Sequence, residues 1–197
     1  MNVTTWVLLA VGLLILFWAV GAYNRLVRLK NAIANAFGQI DVQLKRRYDL
    51  IPNLVEVARK YLAHEAQTLE AVIAARNQAR SAEQTAAGNP LSAGALGALA
   101  GAEQLLGGAL GRLFAVAEAY PDLKADQTMR ELSEELASTE NRIGFARQAY
   151  NDHVLEFNDA AQQFPTLIVA RLFNFQPQAM LESTTSEAER APVKVSF

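Results

Sequence analysis

The chain contains no cysteine, and this absence removes several classes of functional site at once. Disulfide bonds, zinc–thiolate sites, iron–sulfur clusters and cysteine nucleophiles all need a thiol. Histidine is almost as scarce, because the 197 residues include only His64 and His153. Histidine-rich metal sites and most catalytic triads are therefore excluded too. We expect no enzymatic activity, no metal and no cofactor.

Glycine and proline, which interrupt helices, number only eleven and six. Alanine, leucine, glutamate, glutamine and arginine, which favour helices, are abundant. The 18 Lys and Arg residues nearly balance the 20 Asp and Glu residues, for a net charge of −2. Nucleic-acid binding draws most of its affinity from a basic surface, so this balance argues against such a partner. We predict an all-helical protein without a nucleic-acid or small-molecule partner.

The first 24 residues carry no charged side chain, and residues 3–22 form an uncharged, mostly apolar run. As a helix this run is about 30 Å long, which matches the hydrocarbon core of a bilayer. Trp6 lies near one end of it, and Trp18 and Tyr23 lie near the other, where aromatic side chains prefer the headgroup level. We predict a transmembrane anchor over residues 1–22.

A cleaved signal peptide is the alternative interpretation of this segment. It would need a basic region before the apolar run and a small-residue cleavage site after it. Residues 1–5 contain no Lys or Arg, and Ala19-Val20-Gly21 is a weak cleavage site. The flanks therefore favour a single-pass anchor.

Positive charge follows the anchor at Arg25, Arg28 and Lys30, whereas the amino side has only the terminal amine. The positive-inside rule then places the amino terminus outside the cell membrane and the body in the cytoplasm. Basic side chains this close to a span also contact anionic headgroups, so the same three residues are candidates for lipid contact.

Residues 23–86 repeat apolar residues every three or four positions, which predicts a helix that continues from the anchor as one rod. Pro52 interrupts this pattern and must kink or reverse the helix. Residues 42–51 contain no Gly, Asn or Ser, so a kink is favoured over a reversal.

Gly88-Asn89-Pro90 ends that element, and residues 91–119 are small and apolar. Gly97 and Gly101, like Gly107 and Gly111, have the spacing that lets helices approach closely. A membrane-dipping hairpin or an assembly face is one interpretation. A packed bundle helix is favoured, because Glu103 interrupts a run already too short to span a membrane.

Residues 122–164 show the most regular heptad pattern in the chain. The predicted core positions are Met129, Leu132, Leu136, Thr139, Ile143, Ala146, Tyr150, His153, Phe157, Ala161 and Phe164. A short apolar helix at 166–173 completes a body that spans residues 23–175. Residues 176–197 are predicted to be an extended tail.

Opposite charges on two segments predict which helices pack together. Residues 23–60 hold eight basic and three acidic side chains, and residues 122–160 hold four basic and nine acidic ones. Elements of net charge +5 and −5 favour each other and disfavour self-pairing. We predict an elongated antiparallel bundle in which these two segments are neighbours.

Two polar patterns are candidates for sites. His64-Glu65 begins a zinc-protease-like motif, but Thr68 stands where the second histidine is required, so no metal site is predicted. Asn24 and Asn31 are seven residues apart, as are Asn151 and Asn158, within similar Ala-Tyr-Asn segments. These amides either fix helix register by hydrogen bonds at the edge of the seam or recur by chance.

Longer strings of residues resemble the LemA family, in order and from residue 23 to residue 197. They include Tyr23-Asn24-Arg25-Leu26-Val27, Leu44-Lys45-Arg46-Arg47-Tyr48-Asp49-Leu50-Ile51-Pro52, Tyr120-Pro121-Asp122-Leu123-Lys124-Ala125, Phe164-Pro165 and Pro192-Val193-x-Val195-x-Phe197. The resemblance implies a bacterial protein with an amino-terminal anchor, an elongated helical bundle and no established enzymatic activity. It also implies a link to membrane organisation, including magnetosome membrane biogenesis.

The sequence therefore predicts a membrane-anchored scaffold that self-assembles, or alternatively an adaptor that binds a membrane protease or transport complex. A helix over 23–86 would be about 96 Å long and one over 91–119 only about 44 Å, which would leave an apolar stripe uncovered. We expect a homo-oligomer with contacts on residues 23–60 and around Gly97, Gly101, Gly107 and Gly111.

Overall fold

Six helices and no strand make up the part of the chain that the computed structural model describes, residues 2–181. The helices are α1 (Val3–Arg59), α2 (Ala66–Gly88), α3 (Ala93–Ala117), α4 (Pro121–Ala125), α5 (Gln127–Gln162) and α6 (Thr166–Leu172). The predicted all-helical bundle with an amino-terminal apolar helix is confirmed. Residues 182–197 of the predicted tail lie outside the described part.

The helix α1 runs without a break for 57 residues, from the apolar run into the body. At 1.5 Å per residue it is about 86 Å long. Its large apolar side chains are exposed from Val3 to Val20, whereas from Leu26 onward one stripe of the same helix is buried. The predicted continuation of the apolar run into the body is therefore confirmed, and among the described residues α1 is the one helix long and apolar enough to cross a membrane.

Proline 52 lies inside α1, and the chain does not reverse there. Proline has no amide hydrogen, so the carbonyl of Tyr48, four residues earlier, loses its helical partner. The Nε of Arg76 on α2 donates a hydrogen bond to that carbonyl at 3.0 Å. The helix tolerates the proline because a neighbouring helix replaces the missing donor.

The chain reverses instead between Arg59 and Ala66, so the prediction of one helix over residues 23–86 is wrong. This connection contains no glycine, asparagine or proline. It is held by long-range contacts, because Leu62 is buried and the Tyr61 hydroxyl donates to Asp126 Oδ2 at 2.9 Å. Asp126 also caps α5, since its Oδ1 accepts from the Met129 amide at 2.9 Å.

The helices α1 and α5 pack side by side in opposite directions. Phe37 of α1 contacts Tyr150 of α5, with ring centroids 6.3 Å apart, and Arg46 forms an ion pair with Glu135. The predicted pairing of the basic and acidic segments is thus confirmed. The hairpin of α2 and α3 covers the carboxyl-terminal part of α1 and completes the bundle.

The core face of α5 departs from the predicted seam near its carboxyl end. Val154 is buried where His153 was expected to be, and Phe164 is exposed beyond the end of the helix. The pattern drifts because a straight helix has 3.6 residues per turn, whereas the seam was counted at 3.5. The other buried seam residues are Met129, Leu136, Thr139, Ile143, Tyr150, Phe157 and Ala161.

Candidate membrane and assembly surfaces

The predicted headgroup residues lie in the first turns of α1 beyond the apolar run. Arg25, Arg28 and Lys30 are all exposed. The neighbouring stripe on α1 was expected to be uncovered, and that expectation is wrong. Leu26 and Ile33 are fully buried inside the chain. Oligomer contacts through an apolar stripe on residues 23–60 therefore lose their basis.

A buried charged cluster joins α1, α3 and α5 in the centre of the bundle. Arg47 Nη1 lies 2.7 Å from Glu103 Oε2 and 2.8 Å from Glu140 Oε2. The Tyr48 hydroxyl donates to Glu103 Oε1 at 2.6 Å. Burial and the nearby charge of Glu103 raise the pKa of Tyr48, so its hydroxyl stays a donor. Both oxygens of Glu103 are thus satisfied, and the cluster fixes the position of α3.

Sequence reasoning treated Glu103 only as a residue that interrupts an apolar run. A signal for the pair was present, because Arg47 lies in the apolar stripe of α1 and Glu103 in that of α3. A single charge on each of two core faces is stable only when the charges meet.

A second group of charged side chains, formed by Asp41, Lys45 and Glu83, lies between α1 and α2. Glu83 is 1% exposed, and neither of its carboxylate oxygens has a hydrogen-bond partner; nor does Oδ1 of nearby Asp41. Lys45 Nζ lies 2.7 Å from Asp41 and 3.7 Å from Glu83. Burial, and then the contact with Asp41, raise the pKa of Glu83 to about 7. Two facing carboxylates are best satisfied when they share a proton.

The stability of the bundle should therefore change with pH through Glu83. The folded chain holds this proton more tightly than the unfolded chain, so the stabilisation is present below the ordinary pKa of 4.5 and is lost as pH rises towards 7. We expect Glu83→Gln to be more stable than the parent at pH 8 by roughly 1–3 kcal/mol, with little difference at pH 4. Urea unfolding at both pH values measures this. Exposed Glu70→Gln on the same helix is the control, and equal pH profiles for parent and Glu83→Gln would contradict the expectation.

The side chains of Asn158 and Asn151 hold the segment 176–181 against α5. Asn158 donates to the carbonyl of Gln178 at 2.9 Å and accepts from its amide at 2.8 Å. Asn151 makes the same pair of bonds with Leu181, at 2.7 and 2.8 Å. Seven residues of helix and three of extended chain both span about 10 Å, so the two spacings match. We call this arrangement the amide clamp.

The structure places the four asparagines differently from bonds that run across helices. Asn151 and Asn158 bind an extended segment and not another helix. Asn24 and Asn31 are exposed on α1 and make no hydrogen bond to another described residue. Each lies two positions before a core residue of α1. Because successive residues are about 100° apart around a helix, the asparagine points about 160° away from that core residue.

Removing the amide clamp should release the segment 176–181. In Asn151→Ala/Asn158→Ala the amides of Gln178 and Leu181 lose their acceptors. We expect their hydrogen exchange to accelerate by on the order of tenfold, since each lost bond is worth about 1 kcal/mol. Exchange measured by NMR tests this. Asn24→Ala/Asn31→Ala is the matched control, and equal acceleration in both double variants would rule out the clamp.

The glycines of α3 lie on its solvent side and do not pack against other helices. Gly97, Gly101, Gly107 and Gly111 are exposed, and a Cβ added at any of them would meet no atom within 4 Å. The favoured bundle-helix interpretation of α3 is confirmed, because its opposite face packs on α2. Leu105, which is 56% exposed, lies among these small residues.

A groove runs between α3 and α5. It consists of three adjoining cavities of about 330, 370 and 310 Å³. Phe114, Leu123 and Met129 line the end of the groove nearest the amino terminus of α5. Arg47 and Glu140 line the other end. The groove is thus apolar at one end and charged at the other.

The zinc-protease-like motif has neither the geometry nor the ligands for a metal. His64 lies in the turn between α1 and α2, whereas such a motif must lie on a helix. Across residues 2–181, no three His, Asp or Glu side chains come together as metal ligands.

An apolar helix that continues into an extended helical bundle defines a class of membrane-associated protein. The chain belongs to the LemA family, whose model matches residues 36–197. The resemblance predicted from the sequence is confirmed, although the match begins after Tyr23.

Relatives in two bacterial groups are similar to this chain. Magnetosome protein MamQ of Magnetospirillum gryphiswaldense is 27% identical in an alignment of 169 positions that covers 78% of this chain and 62% of that protein. Protein LemA of Metamycoplasma hominis is 28% identical over 180 residues, which are 91% of this chain and 77% of that protein. The chain thus spans about three fifths of its magnetosome relative, and none of these relatives is named as an enzyme.

Proposed function

We propose that this protein is a non-enzymatic, membrane-anchored scaffold whose copies associate through α3 and organise membrane or membrane proteins. It would lie in the inner membrane with its amino terminus outside and its bundle in the cytoplasm. The unbroken α1 supports the anchor. Relatives named as magnetosome proteins support a role in membrane organisation.

The exposed face of α3 is the observation that carries the self-association. Leu105 projects beside Gly101 and Gly108, four residues before it and three after it on the helix. A large apolar side chain next to two glycine notches is self-complementary, because each copy can place its leucine in the notch of the other. The membrane confines the copies and raises their effective concentration.

Filling the notches tests this function. Gly101→Leu/Gly108→Leu should preserve the fold, because neither added Cβ meets another atom. It should block association, which we would measure by disulfide crosslinking of single cysteines along residues 97–112 in membranes and by particle mass in detergent. In the parent, reactive positions should repeat every three or four residues. A monomeric mass with no crosslinks would contradict the scaffold.

The orientation has a separate test. Ser138 is exposed in the amino-terminal third of α5, on the half of that helix farther from the apolar run of α1. We expect Ser138→Cys to be protected from membrane-impermeant thiol reagents in intact cells and to react after lysis. Reaction in intact cells would place the bundle outside and reverse the orientation expected from Arg25, Arg28 and Lys30. With a cytoplasmic bundle, these three residues would contact anionic headgroups.

A membrane-tethered adaptor is the second candidate, and the groove between α3 and α5 favours it. Its apolar end, around Phe114 and Met129, could receive an apolar segment of a membrane protease or transport complex. A monomer in detergent would favour the adaptor. A uniform homo-oligomer would favour the scaffold.

A further inference from the structure

The end of the body nearest the anchor exposes a cluster of large apolar side chains. They are Phe164, Ile168, Leu172 and Phe173, with exposures from 54% at Phe173 to 80% at Phe164. The opposite side of α6 is buried, since Val169 and Ala170 pack against the core. A helix at a protein surface normally exposes polar side chains to water and buries its apolar ones. We call these four residues the α6 patch.

The α6 patch lies at the level where α1 leaves its apolar run. The ring of Tyr23, which directly follows that run, is 4.8 Å from the ring of Phe173 and 5.7 Å from that of Phe175. A spanning helix requires lipid around Val3 to Val20. The patch is therefore continuous with a surface that the bilayer already covers.

Asn174 fixes this position of α6. It is the one described non-glycine residue with positive φ, at 55°. The Asn174 amide bonds to the Arg171 carbonyl at 3.3 Å, and the Phe175 amide bonds to the Ala170 carbonyl at 2.9 Å. This Schellman ending stops α6 and turns Phe175 back towards Tyr23 and the core. The short helix is thus held against α1.

The charged side chains within the patch segment and along the first 40 residues are all basic, which suits an anionic lipid surface. Arg171 is the only charged side chain between residues 160 and 181. The first 40 residues contain no acid, and their only charges are Arg25, Arg28 and Lys30. Apolar side chains beside basic ones are the composition of helices that lie in the headgroup region.

We propose that α6 is a second membrane contact, with the α6 patch inserted at the boundary of headgroups and acyl chains and Arg171 directed to the headgroup phosphates. The bundle is then fixed to the bilayer at two points, the spanning part of α1 and α6 beside it. This contact requires neither self-association nor a particular side of the membrane, so a monomeric mass in detergent would leave it intact.

Tryptophan fluorescence of the full chain in vesicles tests the contact. Trp6→Phe/Trp18→Phe removes the native tryptophans, and Leu172→Trp then reports on the patch. The control is Phe145→Trp in the same background, because Phe145 is also exposed but lies about 28 Å along α5 from the level of Phe164. The vesicles contain phosphatidylglycerol and phosphatidylcholine brominated on its acyl chains.

We expect the fluorescence of the Leu172→Trp protein to be blue-shifted and quenched about threefold more strongly than that of the control. Ile168→Trp with Leu172→Glu should lose most of that quenching, because a buried carboxylate opposes insertion. Helix content and thermal unfolding by circular dichroism should match the parent in each variant. Equal quenching of the Leu172→Trp and Phe145→Trp proteins, with water-like emission from both, would overturn the proposal.

Discussion

Glu103→Ala is expected to lower the free energy of unfolding by about 3–5 kcal/mol, the largest effect of any single charged residue in the bundle. The substitution leaves Arg47 buried with only the half-exposed Glu140, and it removes the acceptor of the Tyr48 hydroxyl. A buried charge or hydroxyl that loses its partner costs its full desolvation. Urea unfolding followed by circular dichroism measures the loss.

Two further variants separate the buried cluster from general effects of charge. Glu134→Ala removes an exposed carboxylate from α5 and should cost less than about 0.5 kcal/mol. Arg47→Met/Glu103→Leu removes both charges, and it should be more stable than Glu103→Ala because apolar pairs replace buried ion pairs well. If Glu103→Ala is no worse than Glu134→Ala, the cluster does not support the bundle.

Ile143→Ala should cost about 2–5 kcal/mol, because it leaves a cavity in the middle of the seam between α5 and α1. The side chain is 0% exposed and lies between the levels of the Phe37–Tyr150 contact and the charged cluster. Neighbours fixed on both sides cannot collapse into the space. Thermal unfolding or urea unfolding gives the value.

Phe145→Ala is the matched control for that cavity. It deletes more apolar atoms from the same helix two residues away, but the ring is 73% exposed. We expect a change within about 0.5 kcal/mol. Similar losses in the free energy of unfolding at the two positions would mean that a different face of α5 packs on α1.

The α5 core face was predictable because heptad spacing is a local property of the sequence. Ile143 and Tyr150 follow from a repeat of 3.5 residues per turn. The burial of Val154 in place of His153 follows only from the true helical repeat of 3.6 residues per turn. The charge balance likewise identified α1 and α5 as neighbours, because the two segments that pair carry opposite net charges.

The reversal after Arg59 could not be read from the sequence. Its residues include none of those that favour turns. The reversal forms because Leu62 is buried in the core and the Tyr61 hydroxyl donates a hydrogen bond to Asp126, 65 residues later. The amide clamp was hidden for a similar reason. Asparagine spacing indicated a paired role, but the partner backbone at Gln178 and Leu181 has no side-chain signature.

In the anchored protein that we propose, the unbroken α1 is a stiff rod that pivots in the bilayer. No flexible joint separates Tyr23 from Arg59, so the bundle cannot tumble independently of the span. About 55 Å of helix lies beyond Tyr23, and a tilt of about 10° therefore carries the far end sideways by about 10 Å. Since spans tilt to match bilayer thickness, a small change in the lipid layer becomes a large lateral displacement of the bundle tip.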